Sequence, residues 1–359
     1  MKKRVRAAVL AACMVLTLAG CTAKAPGTTP VETPAAAESA TTTTQAATTT
    51  PAETTPAAEE VKRSPTTGMP VDEDTDYRPV ACVISNAKGA SPQWELKRAD
   101  VVYEFLQEGR SVTRFLAIFN DDVPDDAGPV RSCRFPFLAI LAMWEAPIAF
   151  CGGSSVSPVD VDTRIVSENL PYYIDDTKGR YSEYFRRDSS RKAPHNLRVN
   201  LQQLRDATPE WDYPEDALTF SDAVPAGGAP VSKVQVNFTE KYDVASYQYD
   251  NQQKVWLRYW PDGDPMEDAD GTQLAVTNLV ILKMNYKTLD TSAGHLELES
   301  TGSGQALFFM NGVEIEGTWE RETIEDPLVL KDKQGAAVSL MPGKSWFCVV
   351  DDEAPIVVE

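Results

Sequence analysis

The chain has 359 residues, with 34 Lys plus Arg against 53 Asp plus Glu, a formal charge of −19. A field of that sign repels phosphate backbones, so nucleic acid is excluded as a partner of the overall surface. With 42% hydrophobic and 9% aromatic residues the chain is too apolar to be disordered throughout, and its length allows two domains.

The N-terminus is the most specific signal. Met1 to Arg6 is basic, Ala7 to Leu18 is apolar, and Leu18-Ala19-Gly20-Cys21 follows as a lipobox. Such an apolar run is too short for a permanent membrane span and long enough for a signal peptide. Residues 1–20 therefore read as a lipoprotein signal peptide and Cys21 as the acylated residue, several acyl chains at one Cys giving a firm anchor. The competing reading is an ordinary secretory signal with a chance Cys. Without Lys2, Lys3, Arg4 and Arg6 the remainder carries −23. The expected address is the bacterial cell membrane, lipid-anchored on the extracytoplasmic face, with the lipid on Cys21 as the sole membrane contact.

Between Thr22 and Thr67 there are 15 Thr, 11 Ala and 6 Pro and no aromatic residue. A segment like this buries too little to offset its ordering entropy, so residues 21–75 read as the lipidated Cys and a disordered linker. As a coil the tether spans roughly 40 Å and as a stiff extended chain up to roughly 140 Å.

The fold class expected beyond it is α+β: an N-terminal α/β mixed-sheet domain over 76–227, then a mainly antiparallel β domain over 228–359. PVACVIS (79–85), ADVVYEFL (99–106), TRFLAIF (113–119) and APIAFC (146–151) read as strands. FPFLAILAMW (135–144) suits a buried helix beginning after Arg134 with Pro136 in its first turn, and Arg198 to Asp206 a second, amphipathic one. After DAVPAGGAP (222–230) come VSKVQVNF, VASYQYD, KVWLRYW, QLAVTNLVILKM, GHLELES, QALFFM, VEIEGTWE, PLVLKD, AVSLM and KSWFCVV, alternating runs separated by turn residues. The acidic loop Asp262, Asp264, Glu267, Asp268 and Asp270 departs from EF-hand spacing and reads as a solvated turn.

After processing, four cysteines remain. Cys82, Cys151 and Cys348 sit in apolar runs and read as small buried hydrophobes, with a Cys82–Cys151 bridge as the alternative; whether these and Cys133 form a disulfide stays open. No metal site and no cofactor are expected, since His195 and His295 offer the thiols no ligand spacing.

The chemistry-bearing residues lie in the N-terminal half. Residues 178–198 hold Lys178, Arg180, Arg186, Arg187, Arg191, Lys192 and Arg198 against Glu183 and Asp188, a positive island in a negative chain. Guanidinium groups fork onto carboxylate or phosphate, so Arg114, Arg131, Arg134 and Arg191, with His195 and Asn196, are the candidate ligand-binding residues. The competing reading pairs these arginines with Glu104, Glu108, Asp100 and Asp188 in a structural network.

In order, RPVACVISN, SPQWELKRADVVYE, EGRSVTRFLAIF, GPVRSCR, GGSS, Phe185-Arg186-Arg187-Asp188 and KAPHN resemble the YerB-like bacterial lipoproteins, as do GQALFFMNG, EGTWER and LMPGKSW further on. The likeness covers roughly 76–350. It implies an N-terminal domain of unknown function, a smaller C-terminal one, and an envelope location without a reaction. Two departures stand out: Ser91-Pro92-Gln93-Trp94-Glu95-Leu96 replaces the family's ARPQSGL, and Pro265-Met266 replaces a Pro-His pair.

Two functions follow. The first is a binding or scaffolding lipoprotein that recognises an anionic envelope component, a cell-wall glycan or an envelope protein. The alternative is a cell-wall-acting hydrolase or transferase with His195 as acid or base, Glu104 or Glu108 as its carboxylate partner, Ser154 as nucleophile and the arginines stabilising developing charge. CGGSS lacks the spacing of a nucleophile elbow.

Overall fold

The computed structural model describes residues 61–170, 172–225, 227–238, 244–289 and 293–359. The signal sequence, Cys21 and the linker as far as residue 60 lie outside them. The first half contributes strands β1 (Val80–Ser85), β2 (Val101–Leu106), β3 (Thr113–Phe119), β4 (Ile148–Phe150), β5 (Tyr173–Asp175), β6 (Phe185–Arg187) and β7 (Leu197–Val199), with helices α1 (Phe135–Leu141), α2 (Val161–Ser167) and α3 (Leu201–Ala207). The second half adds β8 (Ala229–Pro230), β9 (Lys233–Asn237), β10 (Val244–Asp250), β11 (Val255–Tyr259), β12 (Ala275–Val276), β13 (Asn278–Lys283), β14 (Tyr286–Thr288) and β15 (Leu296–Leu298). It ends with β16 (Gly302–Met310), β17 (Val313–Arg321), β18 (Val329–Asp332), β19 (Ser345–Val350) and β20 (Ile356–Val358). The protein is β-rich, and no helix among the described residues is long and apolar enough to cross a membrane.

The main sheet has 11 strands, ten of them in the order β18-β17-β16-β13-β19-β2-β3-β1-β4-β5, with β8 paired to β17. Strands from both halves share it, and β19, from near the end of the chain, lies parallel between β13 and β2. The boundary expected at 227/228 thus separates two stretches of sequence that build one sheet, within a single compact unit. The antiparallel pattern expected for the second half holds for β13 with β16 and β16 with β17, and is broken at β13 with β19. A second sheet, β12-β11-β10-β9-β20, is antiparallel throughout.

Every residue of β1, β2, β3 and β19 is buried. Their continuous apolar runs fit strands covered on both faces. Tyr103 stacks on Phe347 at 4.7 Å between ring centroids, and Phe105 meets Phe137 of α1 edge-on at 5.2 Å. Helix α1 starts at Phe135 with Pro136 in its first turn and buries all seven residues, which is why FPFLAIL carries no polar stripe. The helix expected over Arg198 to Asp206 begins later: Leu197–Val199 pairs with β6, and the Asn200 side chain accepts from Gln203 N–H to cap α3.

Two expectations about polar segments are corrected. Residues 61–75, assigned to the linker on composition, are part of the fold, and Ser64, Thr66 and Thr67 are buried. Ser64 Oγ and Thr67 Oγ1 each donate to Asp121 at 2.6 Å, and Thr66 Oγ1 donates to Asp100 at 2.9 Å. Asp268, expected in a solvated turn, is 2% exposed because its Oδ2 accepts the Lys97 N–H. Cys82, Cys133 and Cys348 are buried free thiols and Cys151 is a half-buried one.

Candidate functional site

Strands β13, β19, β2, β1, β4 and β5 all point the same way, with β3 opposed among them. Their carboxyl ends define one edge of the sheet. In open sheets with parallel strands, ligands bind in the crevice outside that edge. Here β1 and β4 are paired only at Ala81 and Cys82, and beyond that register the segment 129–133 enters between them. Arg131 N–H donates to Val83 carbonyl, Cys151 N–H to Arg131 carbonyl and Cys133 N–H to Gly152 carbonyl. Gly152 is required here: at φ +94°, a Cβ would stand 2.9 Å from Ser132 Oγ.

Arg114 and Arg134 hold this segment in place. Arg114, 6% exposed, donates to the Ser132 carbonyl at 3.0 Å, and Arg134 donates to the Cys133 carbonyl at 2.7 Å. Both face Glu108: Arg134 Nε donates to its Oε1 at 2.9 Å, and Arg114 lies 3.8 Å away. Burial pushes the Glu108 carboxyl up, yet the two guanidiniums outweigh it and hold the group below its ordinary value. Arg114 is pushed down to about 10, first by burial and then by Arg134 and Arg131, with Glu108 opposing. One carboxylate therefore serves three arginines.

Arg131 is the one left over. Its Nε is buried without a hydrogen-bond partner, and burial together with Arg134 lowers its pKa. His195 shares that field: burial, then Arg131 and Arg191, lower its pKa, and its Nδ1 is buried and unbonded. Its ring lies over Gly89, where a Cβ would come within 3.3 Å of Cδ2. The Cys151 thiol, raised by burial and by Asp175 and Asp176, also feels Arg187 and Arg131.

The other expected site residues have internal work. Arg191 donates to the carbonyls of Ala90 (2.7 Å) and Pro92 (2.6 Å) and stacks over Trp94 at 3.8 Å; Arg198 lies over the same ring at 4.4 Å. Trp94 thus joins its own loop to the Arg191 loop and to β7 by cation–π contacts, worth about 0.5–2 kcal/mol each. Asn196 Nδ2 donates to the Asp188 and Arg191 carbonyls, and its Oδ1 accepts from Arg187. Arg186 and Arg198 pair with Asp126 and Asp188.

Glu104 is 1% exposed and fully engaged, accepting from Asn86 Nδ2 (3.1 Å), Thr113 Oγ1 (2.7 Å), Trp346 Nε1 (3.2 Å) and Arg258 Nη2 (3.1 Å). Sequence reasoning missed Arg258, although KVWLRYW places it on the same inward alternation as Trp256. Its Nη1 donates to Tyr247 Oη at 2.5 Å and its Nε to Met266 Sδ at 3.1 Å, so Met266 packs against this buried ion pair. Among the described residues no hydrogen bond joins His195 to Glu104, Glu108 or Ser154. Ser154 Oγ instead accepts the Val156 N–H. The acid, base and nucleophile of the hydrolase reading are not brought together.

The description "Protein of unknown function (DUF3048) N-terminal domain" matches residues 66–214 and its C-terminal counterpart residues 234–347. The chain is 28% identical to the "Putative lipoprotein YerB" of Bacillus subtilis (strain 168) over 298 residues, covering 81% of this chain and 86% of that one. A crystal structure of the YerB protein from Bacillus subtilis superposes with a TM-score of 0.71 at 26% identity, covering 82% of this chain and 99% of that chain.

Proposed function

The chain belongs to the DUF3048 family, and from that premise we propose that it is an extracytoplasmic lipoprotein, anchored through Cys21, whose carboxyl-edge crevice recognises an anionic group of the cell envelope. The observation that carries this reading is Arg131. A guanidinium between two strands that have separated, beside Arg114 and Arg134 with only Glu108 to balance all three, is an electrostatic debt that an incoming carboxylate or phosphate cancels. Arg114, Arg134 and Glu108 fix the segment that carries it, so the donor is held in place before the ligand arrives.

His195 gives the site a pH signature. Burial, then Arg131 and Arg191, lower the pKa of the imidazole, and an anion on Arg131 relieves part of that field, so binding favours a proton on His195. Affinity therefore rises as pH falls through the ordinary imidazole range. The test is calorimetric titration of the full chain with phosphate and with a D-alanyl peptide at several pH values. The expected result is saturable binding that Arg131→Ala removes and His195→Gln makes insensitive to pH. Binding that survives Arg131→Ala with unchanged affinity, or the absence of binding by either probe, overturns the reading.

A further inference from the structure

The cations around Arg131 extend well beyond one ligand's reach. Lys88 follows β1, Lys178 and Arg180 follow β5, Arg187 ends β6, and Lys192 lies in the turn between β6 and β7. Among the described residues none of these five, nor Arg131, has a carboxylate within ion-pairing distance, whereas Arg186 and Arg198 in the same island do. The chain carries 53 acidic side chains against 34 basic ones, more than enough to pair every cation. Lys62, Arg205, Lys254, Lys283, Arg321 and Lys344 also lack a carboxylate partner, but each donates to a carbonyl or amide oxygen; the described cations with neither, Lys88, Arg131, Lys178, Arg180 and Lys192, follow the carboxyl ends of β1 and β5 or lie in the loops beside them. The loops that bear them are tied together: Arg191 bonds the carbonyls of Ala90 and Pro92, Cys151 senses both Arg187 and Arg131, and His195 senses Arg131 and Arg191.

A cavity of about 420 Å³ lies elsewhere, between α2 and β15, and its charged lining is mainly acidic, with Glu168, Glu297 and Glu299 against Arg164. The described chain enters at Val61 and is pinned by Ser64, Thr66 and Thr67 to Asp100 and Asp121, which sit where β2 begins and β3 ends. That is the amino edge of the parallel strands, one strand length or roughly 20 Å from the carboxyl edge. The first described residues and the basic surface thus lie at opposite ends of these strands.

Resting on the anion-recognition reading above, we propose that the occupant is an extended linear polyanion, a polymer with repeating phosphate or carboxylate groups. Several weak contacts on one chain add as avidity, which a flat array of separate cations can exploit and a single ion cannot. Screening confines the repulsion of the acidic body to about 8–10 Å at physiological salt, so a local array can bind against an opposing net charge.

The experiment uses the full chain in vesicles of neutral phosphatidylcholine, with inorganic phosphate, triphosphate and long-chain polyphosphate as probes. Affinity is expected to rise roughly tenfold or more from triphosphate to the long chain, with a steeper salt dependence. Arg187→Glu with Lys192→Glu, both at exposed positions, should abolish that gain while leaving triphosphate binding within about twofold. Thermal melting of the variant at the wild-type temperature secures that comparison. Phosphate binding without any gain from chain length overturns the polymer and leaves the Arg131 reading standing; failure of all three probes overturns both. Vesicles containing phosphatidylglycerol that displace the polyphosphate overturn the polymer in favour of lipid headgroups.

Discussion

The two edges of the main sheet handle charge in opposite ways. At the amino edge Asp100 and Asp121 are answered by hydroxyls of Ser64, Thr66 and Thr67 and by the N–H groups of Asn120 and Asp121. A strand's length below it, Glu104 is answered by four donors, among them Arg258 across 154 positions of sequence. At the carboxyl edge the buried Nε of Arg131 has no hydrogen-bond partner, and Arg131 shares the field of Glu108 with two other arginines. Burying a polar group without a partner costs free energy, so satisfied groups mark where the fold is held together and unsatisfied ones mark where it has been left open.

The largest effect expected of a substitution that erases this contrast is at Glu104. Glu104→Ala strands Arg258, 3% exposed, without its charge partner and should cost about 3–5 kcal/mol in urea unfolding. The double variant Glu104→Leu, Arg258→Met should recover most of that, because what destabilises is the unpaired charge. A variant with an unchanged midpoint would mean that Glu104 is no structural partner.

Asp100 sharpens the contrast through pH. Burial, and then the neighbouring Asp121, raise its carboxyl from 3.8 to about 6. A raised carboxylate keeps its proton in the folded state longer than in the unfolded one, so its contribution is present at low pH and lost as pH rises from about 4 to about 6. Two pK units correspond to about 2–3 kcal/mol. Asp100→Asn should flatten the stability profile across that window, and a slope that persists in the variant would assign it to another group.

Thr66→Val removes one donor to Asp100 while keeping the side chain's shape, with an expected loss of about 1–3 kcal/mol by thermal or urea unfolding. It should also loosen residues 61–71, visible as faster amide exchange there than in β2. Equal protection in both proteins would show that the segment is held by other contacts. The smallest effect on stability belongs to Arg131→Ala, within about 0.5 kcal/mol, since that side chain has no bond to lose. A loss comparable to that of Glu104→Ala would move Arg131 to the structural side of the comparison.

Much of this was legible in the sequence. PVACVIS, ADVVYEFL, TRFLAIF and APIAFC contain β1 to β4, and KVWLRYW contains β11, because short apolar or alternating runs between turn residues specify strands locally. Pairing is a different matter. Nothing in SWFCVV distinguishes VVYEFL as its neighbour, since both are continuous apolar runs with no face to set apart. The same limit hid the Glu104–Arg258 contact. Residues 61–75 were misread because Ser64, Thr66 and Thr67 have the composition of the linker before them; only Asp100 and Asp121, distant in sequence, give those hydroxyls a destination. At the candidate site the basic island could be seen, but Arg131 was not separable from Arg114, Arg134 and Arg191, because which of four arginines lacks a partner depends on geometry.

The place of β19 bears on how the chain is made. Ser345–Val350 lies in the middle of the main sheet, flanked by β2 from the first third of the sequence and β13 from the last. A polypeptide emerging N-terminus first exposes the open edge of β2 until residues 345–350 have been delivered. Closure of the sheet therefore waits for that strand, long after β2 itself is made. A product truncated before residue 345 lacks the strand that joins its two halves.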